Sequence, residues 1–269
     1  MASEEDLQVL RQRIAELESV AEANQALRQR QLDLAAKVHG SLLPRPIRHE
    51  RISVDVRYIP IEEVGGDYCQ VWFPYRDVCY ISIWDVTGHG VGAGLLATRV
   101  SSEVRYSILY GRGPGEIVRS LNQFLCENFD ETGLYLTSTV ARIDLAERRI
   151  TWCGAGHPSP LLIHRRTSKI DLLASQNPIV GVTIPGVDHD VEEVLSLEPG
   201  DRLIFYTDGL TETTDRHERQ LGVNGLAEIA THAMPLGLFD MADRILDQIA
   251  EYQHGPTTDD KTLIVAELL

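Results

Sequence analysis

The sequence predicts an α+β fold: a mostly antiparallel sheet body with helices packed on its outside, preceded by one long helix. Three observations predict it. Residues 4 to about 41 contain no proline, and no glycine before Gly40, and are rich in Glu, Gln, Arg, Ala and Leu, the composition of a continuous helix. Beyond Leu43-Pro44-Arg45-Pro46 the apolar period changes, and Ile52, Val54, Val56 and Tyr58 alternate as in a half-buried strand. The later extended runs come mostly as hairpin pairs with turn-forming PYRD or DLAER between them, while the helical patterns arrive as consecutive pairs. That order favours antiparallel sheets with external helices over repeated βαβ crossovers.

In the first helix Leu10, Leu17, Asn24, Gln31 and Val38 recur every seven residues, and Val20, Leu27 and Leu34 stand three residues further on, approximating an a/d seam with a polar middle. A buried Asn at an a position fixes register in parallel pairs, so a homodimeric coiled coil through residues 4–41 is expected, the alternative being a helix folded back on its own body. At 1.5 Å per residue it could reach about 55 Å. Pro44 and Pro46 stop it, because proline lacks the N–H and holds its predecessor extended. The expected domains are therefore 1–41, a dimerising and regulatory helix, and 42–269. In the second, strands are expected near 52–58, 66–73, 78–86, 135–144, 149–154, 159–164, 190–197, 201–207 and 261–268, and helices near 91–110, 115–129, 222–233 and 238–253. Residues before 41 leave no room for a sensor domain, so regulation is expected to pass through the helix.

Composition excludes several classes. Of 269 residues 40 are Asp or Glu and 25 Lys or Arg, a formal charge of −15, and no basic run could neutralise a nucleic-acid backbone. The longest apolar runs, such as LIFY at 203–206, fall far short of the roughly 20 residues of a membrane span. The N-terminal MASEEDLQ lacks a secretory pattern, and Cys69, Cys79, Cys126 and Cys153 form no C-x-x-C pair. A cytoplasmic protein with free thiols is expected.

The chemistry lies in the carboxylates. Asp67 opens one strand and Asp85 closes the next, and their midpoint, residue 76, falls inside the PYRD turn. A hairpin folded there sets the two carboxylates about 4.5–5.5 Å apart, where they repel unless a cation or a proton intervenes. Asp208 follows the strand RLIFYT and Asp259 precedes KTLIVAEL, so both also lie at strand ends. Each alone reads as a turn or cap residue. Together they are an oxygen-rich set of the kind Mg2+ and Mn2+ prefer, and no His/Cys zinc pattern competes.

GGD at 65–67, DVTGHG at 85–90, GAGHPSPLL at 154–162, TDGLTE at 207–212 and DDKT at 259–262 resemble, in order and spacing, the SpoIIE and RsbU type of bacterial serine phosphatase, a branch of the metal-dependent PPM superfamily. The resemblance spans residues 41–269, and SLLP at 41–44 resembles the linker that joins sensor or dimerisation modules to such domains. It implies a β-sandwich flanked by helices, with two Mn2+ or Mg2+ ions at one end of the sheets. By position Asp67 would bridge the metals, Asp85 and the backbone carbonyl of Val86 would be further ligands, and Asp208 and Asp259 would complete the set. Asp260, Gly66 and His89 would surround it. Many members carry a carboxylate where this chain has Gln70. His89 and His157 read as loop-shaping residues rather than acids or bases.

The implied reaction is hydrolysis of a phosphoserine or phosphothreonine monoester by a metal-bridging hydroxide, with no side-chain nucleophile. The implied substrate is a phosphorylated anti-anti-sigma (STAS-domain) protein in a partner-switching pathway that regulates a sigma factor. The alternatives are a catalytically silent partner-binding module of the same fold and a metal-dependent hydrolase of another phosphoester. The acidic stretch 188–201 reads as a solvated face.

Overall fold

The computed structural model describes residues 4–88, 90–184 and 186–269. The chain divides into a unit ending at Leu42 and a unit from Leu43 to Leu269. The first is a single helix, α1 (Glu4–Leu42), on which Leu10, Leu17, Val20, Leu27, Leu34 and Val38 are all exposed. Among the described residues no helix is long and apolar enough to cross a membrane.

The second unit contains two antiparallel sheets. One holds, in spatial order, β1 (Ile47–Arg48), β2 (Ile52–Ile59), β11 (Lys261–Leu268), β10 (Arg202–Tyr206), β7 (Leu161–Ile163) and β8 (Ile170–Leu172). The other holds β3 (Asp67–Tyr75), β4 (Val78–Val86), β5 (Leu136–Asp144), β6 (Arg149–Ala155) and β9 (Glu193–Ser196). Every pairing between named strands is antiparallel. β3 is an edge strand, which accommodates Pro74 at an irregularity between Trp72 and Tyr75.

Alternation along each strand builds the layers. Cys79, Ile81 and Ile83 of β4 pack with Phe205 of β10 and Ile264 and Ala266 of β11 in the core between the sheets. Their neighbours Tyr80, Trp84 and Val86 face the other way, onto α2 (Val91–Leu109) and α3 (Pro114–Asn128). Ile204, Tyr206, Leu263 and Val265 likewise face α5 (Gly222–Ala233) and α6 (Leu238–Tyr252). Central strands buried on both faces read as continuous apolar runs, which is why RLIFY shows no alternation. The expected sandwich flanked by helices is present.

The expected elements recur with shifted ends, the largest difference being 190–197, where only Glu193–Ser196 pairs. Four short pieces lie outside the expected elements: β1, β8, α4 (Asp208–Thr211) and a 3-10 turn at Asp130–Thr132, each of two to four residues. The acidic stretch has local work. Glu192 Oε1 accepts the Gly115 N–H at 2.6 Å at the start of α3, Asp190 pairs with Arg119 at 3.0 Å, and Asp201 accepts the Arg165 and Glu198 N–H groups at 3.0 and 2.9 Å. Cys69, Cys79, Cys126 and Cys153 are free, and burial pushes the thiols of Cys69, Cys79 and Cys153 up.

Candidate metal centre

The β3–β4 hairpin pairs Asp67 directly with Asp85. Asp67 shares the face of Cys69 and Val71, so its carboxylate points between the sheets, where it is 1% exposed. The opposing sheet meets it with two hydroxyls: Thr207 Oγ1 and Thr262 Oγ1 each donate to Asp67 Oδ2 at 2.7 Å. Thr207 Oγ1 also accepts the Thr262 N–H at 2.9 Å, which locks the pair. Both threonines lie inside the TDGLTE and DDKT motifs, but the sequence reading gives them no role of their own.

Asp260 has a positioning role. It is 2% exposed; its Oδ1 accepts the Ile61 N–H at 2.8 Å and its Oδ2 the Gly66 N–H at 2.9 Å, fixing the loop that delivers Asp67. Gly66 is required there: a Cβ would stand 2.6 Å from the Val86 carbonyl oxygen, and the Val86 N–H already bonds to Gly66 O at 3.3 Å. Gly88, at φ 87, turns the chain after Val86 in a conformation that favours glycine. Asp208 is the first residue of α4, behind the extended Thr207, and Asp259 immediately precedes the Asp260 clamp.

The electrostatics tie the carboxylates together. Burial, then the charges of Asp208, Asp259 and Asp260, push the Asp85 carboxyl up to about 8. Burial and then Asp85 push Asp67 well up, against the pull of the Thr207 and Thr262 hydroxyls. Asp208 is raised by burial and by Glu212. Such crowding of like charges calls for a cation or a proton. The donors, all carboxylate or carbonyl oxygen, fit a hard divalent cation. Among the described residues no three Asp, Glu, His or Cys side chains stand close enough to enclose an ion, so the carboxylates share one field without forming a closed cage.

Other expected residues lie elsewhere. Gln70 points toward α2, where its Nε2 donates to Ser101 O at 2.8 Å. His157 is buried with its Nδ1 2.8 Å from Thr137 Oγ1, and burial pushes its pKa down to about 3, so the ring is neutral. His89 lies outside the described residues.

A family model described as Stage II sporulation protein E (SpoIIE) matches residues 76–269. The phosphoserine phosphatase RsbP of Bacillus subtilis (strain 168) is 29% identical over 188 residues, which cover 69% of this chain and 46% of RsbP. The chain thus matches about half the length of that relative. The SiaA-PP2C domain of Pseudomonas aeruginosa superposes with a TM-score of 0.79 at 22% identity, over 92% of this chain and 99% of that one. The RsbU and RsbW domains of Rv1364c from Mycobacterium tuberculosis give 0.70 at 22% identity, over 81% and 60%. Identities this low show the fold, and it is the two-sheet, helix-flanked fold described above. The family match covers most of the chain: the protein belongs to the SpoIIE family.

Proposed function

We propose that this chain is a metal-dependent protein serine/threonine phosphatase that hydrolyses a phosphoserine or phosphothreonine monoester. The observation that carries it is the buried Asp67 opposed to Asp85 and held by two threonine hydroxyls from the facing sheet. Asp67, Asp85, Asp208, Asp259 and the Val86 carbonyl would hold two Mn2+ or Mg2+ ions. When bound, such ions supply an activated water and neutralise the charge spread over phosphoryl oxygens.

The chain's own residues set the geometry. Thr207 and Thr262 fix one oxygen of Asp67, so that Oδ1 keeps a single direction. Asp260 holds the Gly66 backbone, and Gly66 lets that backbone approach Val86 closely. No side-chain nucleophile is needed, and the buried Cys69 and Cys153 thiols, pushed up by burial, are not candidates. The substrate that the motifs favour is a phosphorylated STAS-domain regulator in a partner-switching pathway. The occurrence of RsbU and RsbW domains together in a solved structural relative supports that setting.

The test is release of phosphate from a phosphoserine protein with Mn2+ and with a chelator, in the wild type and in Asp85→Ala. The reading predicts turnover only for the wild type with Mn2+. Equal rates in all four conditions would sink it.

A further inference from the structure

The row that begins with Asp67 and Asp85 continues onto a third strand. Thr137 of β5 stands directly opposite Asp85 in the ladder, as Asp67 does on the other side. Residues so opposed share one face of a sheet, with Cβ atoms about 4.5–5.5 Å apart. The face is the inner one, for Ile81 and Ile83 on β4 and Ala141 and Ile143 on β5, in phase with Asp85 and Thr137, pack in the core between the sheets. Asp85 and Thr137 are half-buried, whereas Asp67 is buried.

The Thr137 hydroxyl is held in place. His157, itself 3% exposed, sets Nδ1 2.8 Å from Thr137 Oγ1. Gly156 delivers the ring: it bridges to Ser138, donates its N–H to Asn177 O at 3.0 Å and stands at φ 64, where glycine is favoured. A Cβ there would collide with Ile179 Cγ2. A threonine hydroxyl has one hydrogen and two lone pairs, and a neutral imidazole nitrogen engages one of the three in either tautomer. At least one lone pair therefore remains to accept a further hydrogen bond.

We propose that Thr137 is a positioning residue of the metal centre: held by His157, its hydroxyl accepts a hydrogen bond from a water of the cation that Asp85 binds, and so orients that water beside the carboxylate. This rests on the metal-dependent reading above. Small divalent cations keep several waters when one or two carboxylates bind them, and those waters need acceptors. The spacing of opposed residues is about that of two oxygens bridged by one water, each roughly 2.8 Å from it. Thr207 and Thr262 hold Asp67 from the facing sheet, and Thr137 serves Asp85 from the neighbouring strand.

The test is calorimetric titration of Mn2+ into the 269-residue chain as wild type, Thr137→Val, Thr137→Ala and Thr137→Ser, with urea unfolding of each. The valine and alanine variants remove the hydroxyl with and without filling its volume, and the serine variant keeps it. Thr137→Val and Thr137→Ala are expected to bind one ion about tenfold more weakly, the scale for a group that orients a metal's own partners, while Thr137→Ser binds as the wild type does. Lowered urea midpoints with unchanged Mn2+ affinity would show a purely structural threonine and overturn the inference. So would a serine variant as weak as the valine one. Phosphate release from a phosphoserine protein separates the two readings. A wild type that binds Mn2+ yet releases no phosphate removes the phosphatase reading, while the Thr137 comparison still decides the inference; a wild type that binds no Mn2+ removes both.

Discussion

At the scale of single residues, the carboxylates were legible and what holds them was not. The pairing of Asp67 with Asp85 follows from the position of one turn, because strand register is fixed by the residue about which a hairpin folds. Thr207 and Thr262 stand 55 positions apart in the chain, and nothing local announces that two hydroxyls converge on one buried oxygen. Asp260 is the complementary case: it sits in the same motif as Asp259, yet its two oxygens are spent on the Ile61 and Gly66 N–H groups. Asp260→Asn turns an acceptor into a donor facing one of these N–H groups. The expected cost is about 1–3 kcal/mol in denaturant unfolding, and unchanged stability would refute the clamp. His157 gives a pH effect. The folded ring stays neutral to about pH 3, whereas the unfolded chain takes a proton below its ordinary 6.5. Stability is therefore complete above pH 6.5 and falls as pH drops through the window between the two values. By pH 5 the loss is about 2 kcal/mol, and urea unfolding of His157→Gln should lack it.

At the scale of elements, period and length decided what could be read. Helices of twelve or more residues and strands of eight or nine carried enough periodicity, and the turn between β3 and β4 was marked by Pro and Asp. β1, β8 and α4 span two to four residues, too few to repeat a pattern, and exist because their neighbours offer a ladder or a packing face. The helix α1 leads to a prediction of its own. Its heptad positions are exposed in the single chain and carry Asn24 and Gln31 in the middle of the seam, a pattern that suits a parallel two-stranded coil. Light scattering should give a dimer for the full chain and a monomer for residues 43–269. A monomer in both would end the coiled-coil reading.

At the scale of the whole molecule, the excess of 15 negative charges divides unevenly in meaning. Residues 1–43 carry 7 acids and 5 bases, leaving −13 on the sheet body. Part of that excess is concentrated where Asp67, Asp85, Asp208 and Asp259 share one field at the end of the sandwich. Another part, in 188–201, is partly engaged locally: Asp190 by Arg119, Glu192 by the first turn of α3, and Asp201 by backbone N–H groups. The two sheets bring together aspartates from β3, β4, the start of α4 and the approach to β11, which no local stretch of sequence could assemble. An assembly of this kind is expected to bind divalent cations. Calorimetric titration of Mn2+ into the full chain, beside Asp67→Asn and Asp85→Ala, tests it most directly. Two ions are expected per wild-type chain, with the loss of at least one in each variant, whereas equal binding in all three proteins would refute a metal site at these aspartates.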